Sequence, residues 1–408
     1  MNDLPVSDPG LPEPGLIVRL AAKGDGVTAD GRFVARTAPG DVMTPDGSLL
    51  HGPHHVVPPC RHFGTCGGCQ LQQVEEQELA RFVTERVTNA ADGQGLAIGH
   101  LLPTHLSPPR SRRRATLHAQ TGGRRPLLGY RVERSHRIVA LAECPVLAPE
   151  LWALVEPLRR LLALWPGKHS VDVALALTGQ GVDCALKGLE LDGLAQTEGV
   201  IDFARNQRLA RLSLDQGYGA EAMWEPEPVT VTLSGQPVAF PSGAFLQATA
   251  DGEARLAGDA REWLAGSATV ADLFAGLGTF AFALAPQSTV VAVEAAREAY
   301  LACRSAAARA RLPIEAVHRD LFRNPLRPQE LARFDAVLLD PPRAGAREQV
   351  EQIAASALAR VVYISCNPAS WARDAARLVE VGFRLEQVRA VGQFRWSTHV
   401  ELTSLFVR

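Results

Sequence analysis

The 408-residue sequence contains no apolar run that approaches the roughly 18 residues required to cross a bilayer. Its first residues, MNDLPVSDPGLPEPG, include acids and prolines where a signal peptide would have basic residues followed by an apolar stretch. We therefore expect a cytoplasmic protein that does not interact with a membrane. Lysine is scarce, at three of the 42 basic residues, and the net charge of −2 does not by itself indicate a nucleic-acid binder.

Cysteine is also infrequent, and its seven residues are unevenly spaced. Three fall between positions 60 and 69, and the others stand singly at 144, 184, 303 and 366. In a reducing compartment an odd, clustered set favours metal binding and catalysis over disulfide bonds.

The remaining composition is that of a globular protein, with 46% hydrophobic and 21% charged residues. A chain of this length exceeds what one hydrophobic core usually serves, so we expect two to three domains. Positive charge is concentrated between Arg110 and Arg137, where nine arginines accompany a single acid, Glu133. This segment is a candidate for phosphate contacts, although a solvated arginine-rich surface explains it equally well.

The first two thirds of the chain predict two units. Short apolar runs and turn residues alternate over residues 16–50, which indicates a small β module. Residues 98–240 combine the strand candidates ATLHA, HRIVAL, VDVALALT and VDCALKGL with a leucine-rich helix near 148–164. That mixture predicts a central α+β domain.

From about Thr269 the pattern changes to strands that alternate with helices. The runs TVADLF, TVVAVE, DAVLLD and RVVYIS are short, rich in β-branched residues, and nearly all end in a polar or acidic residue. Continuous apolar strands are typical of a parallel sheet that is covered by helices on both faces. Ligands of such sheets bind at the carboxyl ends of the strands, where these polar residues fall.

The segment DLFAGLGTF, from Asp272 to Phe280, is a strand followed by a glycine turn and a helix start. Gly276 and Gly278 allow the backbone to approach a ligand closely. Glu294, at the end of the next strand, is placed to accept hydrogen bonds from the hydroxyls of a ribose. A glycine pair alone is weak evidence, but this setting favours a nucleoside-type cofactor.

Two further strand ends contain candidate reactive residues. Asp340 precedes two prolines and Arg343, so a rigid turn would hold its carboxylate at the sheet edge; an ordinary strand terminator is the alternative. Cys366, in VVYISCNP, follows a strand and precedes a helix start, where the helix dipole would lower the thiol pKa. These positions predict a reactive thiolate beside the cofactor.

The cysteine loop, CRHFGTCGGCQLQ, contains Cys60, Cys66 and Cys69. Thiolates at this spacing suit zinc or an iron–sulfur cluster, and the spacing does not separate the two. Cys144 is the preferred fourth ligand because a proline follows it, whereas Cys184 and Cys303 lie within a predicted strand and a predicted helix. His62 is a less favoured substitute.

Together these motifs resemble the uracil-C5 RNA methyltransferases, and among them the bacterial 23S ribosomal RNA branch that carries an iron–sulfur cluster. The resemblance extends over nearly the whole chain and rests on the segments GDGVTADGRFVARTAPGDVM, CRHFGTCGGCQLQ, LGYRVERSHRIVALAECPVL, FLQAT, DLFAGLGTF, DPPRAG, VVYISCNPASWARD and HVELTSLF.

The resemblance implies an α/β fold with three parts. These are an OB-like RNA-binding β module at residues 1–57, a central iron–sulfur-binding α+β domain at 58–240, and a Rossmann-like class I methyltransferase domain at 241–408. It further implies S-adenosylmethionine and a [4Fe-4S] cluster as cofactors, and RNA, with 23S rRNA favoured over tRNA, as the partner of a monomer.

Residue roles follow from the same resemblance. Cys366 matches the nucleophile that adds to carbon 6 of uracil, and Glu401 matches the base that removes the proton from carbon 5. Cys60, Cys66, Cys69 and Cys144 match the cluster ligands. The positions that contact the cofactor or the reacting base are matched by Gln247, Phe274, Gly276, Thr279, Glu294, Asp320 and Asp340.

Some residues depart from the family pattern. Thr249 and Thr279 stand where asparagines are usual, and the N-terminal module is short. Three alternatives remain. A transfer-RNA enzyme of the same chemistry is disfavoured by the cysteine loop, and an amino-group methyltransferase by Arg343, where an aromatic residue would be expected. The third is a non-catalytic iron–sulfur RNA-binding protein.

Overall fold

The computed structural model describes residues 15–408; residues 1–14, and with them most of the acidic and proline-rich start, lie outside the described residues. Five short strands near the N-terminus form a three-stranded and a two-stranded sheet, both antiparallel. They are β1 (Ile17–Leu20), β2 (Gly26–Thr28), β3 (Phe33–Val34), β4 (Val42–Met43) and β5 (Leu49–Leu50). A small strand module is therefore present at the predicted place.

The next part of the chain contains four helices and nine strands. They are α1 (Glu76–Asp92), β6 (Ile98–Leu106), β7 (Arg114–Gln120), β8 (Leu127–Gly129), α2 (Pro149–Ala153), α3 (Val155–Leu162), β9 (Ser170–Thr178), β10 (Gly181–Lys187), α4 (Leu194–Asn206), β11 (Arg211–Asp215), β12 (Ala220–Trp224), β13 (Thr230–Leu233) and β14 (Gln236–Ala239).

Six of these strands form a mixed sheet in the order β12-β11-β10-β9-β7-β8. Side chains alternate between buried and exposed along β9, as expected for a sheet with one covered face. Helices α2, α3 and α4 cover that face through residues such as Leu158 and Val200. The predicted strands ATLHA, VDVALALT and VDCALKGL are confirmed as β7, β9 and β10.

Two local predictions in this region are wrong. The leucine-rich segment near 148–164 forms two helices, α2 and α3, rather than one. The segment HRIVAL does not form a strand. Its Val139 and Leu141 donate backbone hydrogen bonds to Tyr130 and Leu128, but β8 ends at Gly129, so no continuous ladder forms.

The last part of the chain alternates helices and strands as predicted. Its elements are α5 (Ala250–Trp263), β15 (Thr269–Leu273), α6 (Thr279–Leu284), β16 (Thr289–Glu294), α7 (Arg297–Ala310), β17 (Ile314–His318), α8 (Pro328–Leu331), β18 (Ala336–Leu339), α9 (Arg347–Ala354), β19 (Arg360–Ser365), α10 (Pro368–Glu380), β20 (Arg384–Gly392) and β21 (Glu401–Val407).

These strands form an eight-stranded sheet in the order β17-β16-β15-β18-β19-β21-β20-β6. The first five strands in this order run parallel to one another, and β21 is antiparallel to both β19 and β20. Strand β6 joins the far edge, parallel to β20, although it lies within the range predicted for the central domain. The sheet thus contains strands from both sides of the domain boundary predicted at residue 240.

Apolar side chains cover both faces of this sheet. One face packs against α1, α9 and α10, and the N-terminal module contributes Leu20 to the same core. The other face packs against α5, α6, α7 and the β13–β14 hairpin.

Within residues 15–408, no helix combines the length and the apolar character that crossing a membrane requires. The carboxyl ends of β15, β16, β18 and β19 remain open to ligands.

Candidate active site

The chain turns sharply where β15 ends. Phe274, Gly276 and Gly278 have φ angles of 65°, 56° and 91°, so three left-handed residues fall within five positions. A Cβ atom added to Gly278 would lie 2.7 Å from Sγ of Cys303 on α7. Glycine is therefore required at 278 both by the backbone conformation and by the close approach of the helix.

Glu294, at the end of β16, is held against this turn. Its carboxylate accepts the backbone N–H of Gly276 at 2.8 Å and that of Ala296 at 2.6 Å. Each carboxylate oxygen retains a further lone pair. Glu294 is thus oriented to accept hydrogen bonds from a ligand above the turn, as the sequence predicts.

An aromatic pair lies beside Glu294. Phe274 and Phe322 have ring centroids 5.4 Å apart, and Phe322 is exposed on the loop after β17. Asp320 shapes that loop, since its Oδ1 accepts the backbone N–H of Phe322 at 3.0 Å. The sequence analysis identified Phe274 and Asp320 but not Phe322, which no motif distinguishes from a surface residue.

Asp340 follows β18 and is fixed to the neighbouring strand, because its backbone N–H donates to the carbonyl oxygen of Leu273 at 3.2 Å. Burial raises the pKa of its carboxyl well above the usual value, and the negative charges of Glu401 and Asp272 add to this effect. These effects make its proton harder to remove than that of an exposed aspartic acid.

Cys366 follows β19, directly before Asn367, which caps α10 by accepting the N–H of Ala369 at 3.2 Å. The predicted lowering of its pKa is wrong for the protein without ligands. Burial, together with the nearby carboxylates of Glu401 and Asp340, raises the pKa of the thiol to about 11, against a smaller opposing effect of Arg343. Burial and two acids outweigh the helix dipole.

Glu401 is the first residue of β21 and is 5% exposed. Burial raises the pKa of its carboxyl to about 7, and the positive charges of Arg114 and Arg343 limit the increase. A carboxyl that titrates near neutral pH accepts and releases a proton readily.

The FLQAT segment contacts Gln393, the residue that follows β20. The side-chain Oε1 of Gln247 accepts a hydrogen bond of 2.9 Å from Nε2 of Gln393. Thr249, which departs from the family pattern, caps α5 by accepting the N–H of Gly252 at 3.2 Å, and its hydroxyl pairs with Ser107 at 2.8 Å. A threonine therefore meets the local structural requirement at this position.

One cavity of about 1080 Å³ is lined by every site residue that the sequence analysis identified. These are Gln247, Phe274, Gly276, Thr279, Glu294, Asp320, Asp340, Cys366, Glu401, Cys60, Cys66, Cys69 and Cys144. The sequence analysis did not identify several other lining residues, among them Arg114, Phe394 and His399. The Nδ1 atom of His399 lies 2.7 Å from Nη2 of Arg343.

The three cysteines of the loop and Cys144 line the cavity as free thiols. Backbone contacts bring their loop to the segment that ends at Cys144. Gly67 donates to the carbonyl oxygen of Arg131 at 2.9 Å, and Nε2 of His62 accepts the N–H of Ala142 at 2.8 Å. That contact occupies one of the two ring nitrogens through which His62 could bind a metal.

Among residues 15–408, no group of three or more His, Cys, Asp or Glu side chains is close enough to share one metal ion. Burial raises the pKa of Cys69 to about 12, and the other three cysteines add to this through their negative charge.

Comparison with known proteins provides independent observations. The sequence profile of the family described as tRNA (Uracil-5-)-methyltransferase matches residues 238–408. An uncharacterized RNA methyltransferase of Zymomonas mobilis is 47% identical over 393 residues, which cover 96% of this chain and 99% of the relative. The 23S rRNA (uracil(1939)-C(5))-methyltransferase RlmD of Pectobacterium atrosepticum is 33% identical over 88% of this chain and 82% of its own length.

Among solved structures, the Pyrococcus abyssi tRNA (uracil-54, C5)-methyltransferase in complex with S-adenosyl-L-homocysteine matches with a TM-score of 0.76 at 21% identity. The match covers 96% of this chain and 99% of that protein. At this identity the likeness concerns the fold alone, and it confirms the predicted α/β fold class.

Proposed function

Because the chain belongs to the family of RNA (uracil-5) methyltransferases, we propose that it transfers a methyl group from S-adenosylmethionine to carbon 5 of a uridine in 23S rRNA. The observation that carries the proposal is the shared cavity in which Cys366, Glu401 and the expected cofactor contacts meet. A nucleophile, a base and a nucleoside site within one cavity are the groups that this reaction requires.

The residues at the glycine turn fit the proposed cofactor. Glu294 keeps lone pairs that can accept hydrogen bonds from ribose hydroxyls, and Phe274 and Phe322 form an apolar wall suited to a purine ring. When bound, S-adenosylmethionine supplies a methyl group on a positively charged sulfur. The turn at Gly276 and Gly278 leaves room for the cofactor to approach the backbone.

Cys366 acts first in this scheme. Carbon 5 of uracil is too weak a nucleophile to take a methyl group directly, so the thiolate adds to carbon 6. The electrons of the 5,6 double bond then pass toward carbon 5 and the carbonyl oxygen at position 4. Carbon 5, now electron-rich, takes the methyl group while the bond between that group and the cofactor sulfur breaks.

Glu401 completes the reaction. The methylated adduct still carries the hydrogen of carbon 5, which a carboxylate must remove before the double bond re-forms and expels the Cys366 thiolate. The pKa of Glu401, raised to about 7 by burial, makes it an effective base near neutral pH. Its position in the cavity of Cys366 supports the assignment.

The four cysteines fit a [4Fe-4S] cluster, which would supply a rigid cross-link between the cysteine loop and the segment at Cys144. All four line the cavity, and none forms a disulfide. We assign them a structural role, because the proposed methyl transfer involves no net electron transfer. The relative named for 23S rRNA, at 33% identity, supports ribosomal RNA as the substrate.

The test incubates purified full-length chain with labelled S-adenosylmethionine and three substrates: deproteinised 23S rRNA, 16S rRNA and bulk tRNA, each from a strain that lacks the gene. We expect label in 23S rRNA at one uridine, identified as 5-methyluridine after nuclease digestion. Label in tRNA alone would show that the substrate is tRNA rather than 23S rRNA, while the proposed reaction would stand. Absence of label in all three would support a non-catalytic RNA-binding protein.

A further inference from the structure

Arg114 is a charged residue of the cavity to which the reaction described above gives no role. It is the first residue of β7, in the six-stranded sheet, and its side chain reaches the cavity that Cys366 and Glu401 line. The guanidinium lies over the ring of Phe245, with Cζ 4.6 Å from the ring centroid. Its Nε is buried and has no hydrogen-bond partner among residues 15–408.

The neighbouring arginines are engaged differently. Arg113 donates to Glu253 at 2.5 Å and to the carbonyl oxygen of Gln247 at 2.9 Å, so its charge is neutralised within the protein. Arg343 contacts His399 at 2.7 Å. Arg114 is held by stacking alone, although Glu401 and Cys366 are near enough to affect its pKa, which burial lowers to about 10.

Burying a guanidinium without a hydrogen-bonded anion costs free energy. The buried, unpaired Nε of Arg114 therefore indicates that its hydrogen-bond partner arrives with the ligand. Uracil carries two carbonyl oxygens. When the Cys366 thiolate adds to carbon 6, the oxygen at position 4 acquires the negative charge of an enolate. A donor placed at that oxygen stabilises the addition more than it stabilises the bound substrate.

We propose that Arg114 is a further catalytic residue, whose guanidinium donates a hydrogen bond to the uracil oxygen that becomes negatively charged when Cys366 adds to carbon 6. This inference rests on the proposed covalent reaction and deepens it. The step is a bond between Sγ and carbon 6, with the displaced electron pair held as the enolate. That pair then forms the bond between carbon 5 and the methyl group. When the proton of carbon 5 leaves to Glu401, the electrons of its C–H bond re-form the 5,6 double bond, and the bond between Sγ and carbon 6 breaks to release the Cys366 thiolate.

The backbone around Arg114 keeps the guanidinium in place. Arg113 donates its N–H to the carbonyl oxygen of Ala248 at 2.9 Å, and Nε of Arg112 donates to the carbonyl oxygen of Arg114 at 3.0 Å. These contacts join the start of β7 to the FLQAT segment, which includes Phe245. A group fixed before the reaction stabilises developing charge without reorganisation.

The test measures covalent adduct formation with a 23S rRNA fragment that contains 5-fluorouridine, in the presence of S-adenosylmethionine. Fluorine cannot leave as a proton, so the methylated adduct accumulates. We expect Arg114→Met to slow adduct formation about 100-fold or more, while the Kd for unmodified RNA changes less than about threefold. Arg114→Lys should be intermediate, because it keeps the charge but loses the planar fork.

Arg205→Met is the matched control, since Arg205 is likewise stacked on an aromatic ring, Trp224, but lies outside the cavity. It should form adduct at the wild-type rate. A wild-type rate in both Arg114 variants would overturn the inference. The inference would also be overturned if Arg114→Met slowed adduct formation only in proportion to weaker RNA binding, with a shallower salt dependence of the Kd. That result would indicate that Arg114 binds a phosphate.

If Arg114→Met does not fold, Arg114→Lys still tests the inference. Adduct formation at the full wild-type rate in Arg114→Lys would show that the guanidinium is not needed. Failure of the proposed function gives a different result, because the wild-type protein itself would then form no adduct.

Discussion

The backbone N–H of Gln70 donates a hydrogen bond of 2.8 Å to the carbonyl oxygen of Trp396, and Leu71 donates to the same oxygen at 3.0 Å. Trp396 has a φ angle of 61°, which costs a bulky residue about 1–2 kcal/mol unless its surroundings impose it. The end of the cysteine loop therefore fixes the segment that leads to Glu401.

The first prediction concerns this connection. Cys66→Ser should lower the iron and sulfide content of anaerobically purified protein, because it removes one of the four proposed ligands. It should also increase amide hydrogen exchange over residues 393–400, since the loop that holds Trp396 loses its cross-link. Cys184→Ala, at a buried cysteine of β10, is the control and should keep its iron. Full iron content in Cys66→Ser would contradict the ligand assignment.

Glu401→Gln should stop the reaction after methyl transfer. Glutamine has nearly the same shape but cannot accept the proton of carbon 5, so the adduct with ordinary RNA should persist. Denaturing gel electrophoresis should reveal a slowly migrating complex that carries the transferred methyl group. Glu262→Gln, at an exposed acid of α5 that does not line the cavity, should release product normally. If Glu401→Gln traps no complex, another residue must remove the proton of carbon 5.

The pH dependence follows from the two raised pKa values. Glu401, with its pKa at about 7, and Cys366, at about 11, must both lose a proton in the free enzyme. Log kcat/KM should therefore rise by about two per pH unit below neutrality and by about one above it, since only the thiol still titrates there. A profile that falls between pH 7 and 9 would exclude this assignment.

The glycine turn allows a stability test with a matched pair. Gly276→Ala places a Cβ in open space at φ 56°, which should cost about 1 kcal/mol of unfolding free energy. Gly278→Ala adds a contact of 2.7 Å with Cys303 to the same strain, so its cost should reach about 3 kcal/mol. Urea unfolding measures both, and equal costs would contradict the close packing of α7.

The sequence predicted the parallel strands well because each is buried on both faces, which leaves an unbroken apolar run before a polar end. It could not predict that β6 joins the sheet, because the pairing of Ile98 with Leu385 depends on contacts between distant parts of the chain. The pKa of Cys366 was predicted in the wrong direction for a related reason. Its helix start is visible locally, whereas the carboxylates of Glu401 and Asp340 reach it only through the fold.

Arg114 illustrates the same limit within the site. In the sequence it is one of nine arginines between 110 and 137, and no local feature separates it from Arg113. The structure distinguishes them by their partners, since Glu253 binds Arg113 while Nε of Arg114 has no partner among residues 15–408. Motifs located the cofactor turn, the nucleophile and the cysteine loop, but the polar groups around the reacting base required the folded chain.

The central claim is that Cys366 bonds covalently to the RNA. The most direct measurement incubates the full chain and its Cys366→Ala and Cys303→Ala variants with S-adenosylmethionine and 5-fluorouridine-containing 23S rRNA, followed by denaturing electrophoresis. The account predicts a cofactor-dependent complex that survives denaturation in the wild type and in Cys303→Ala, and none in Cys366→Ala. A complex of undiminished yield in Cys366→Ala, or no complex in the wild-type protein while it methylates ordinary RNA, would contradict it.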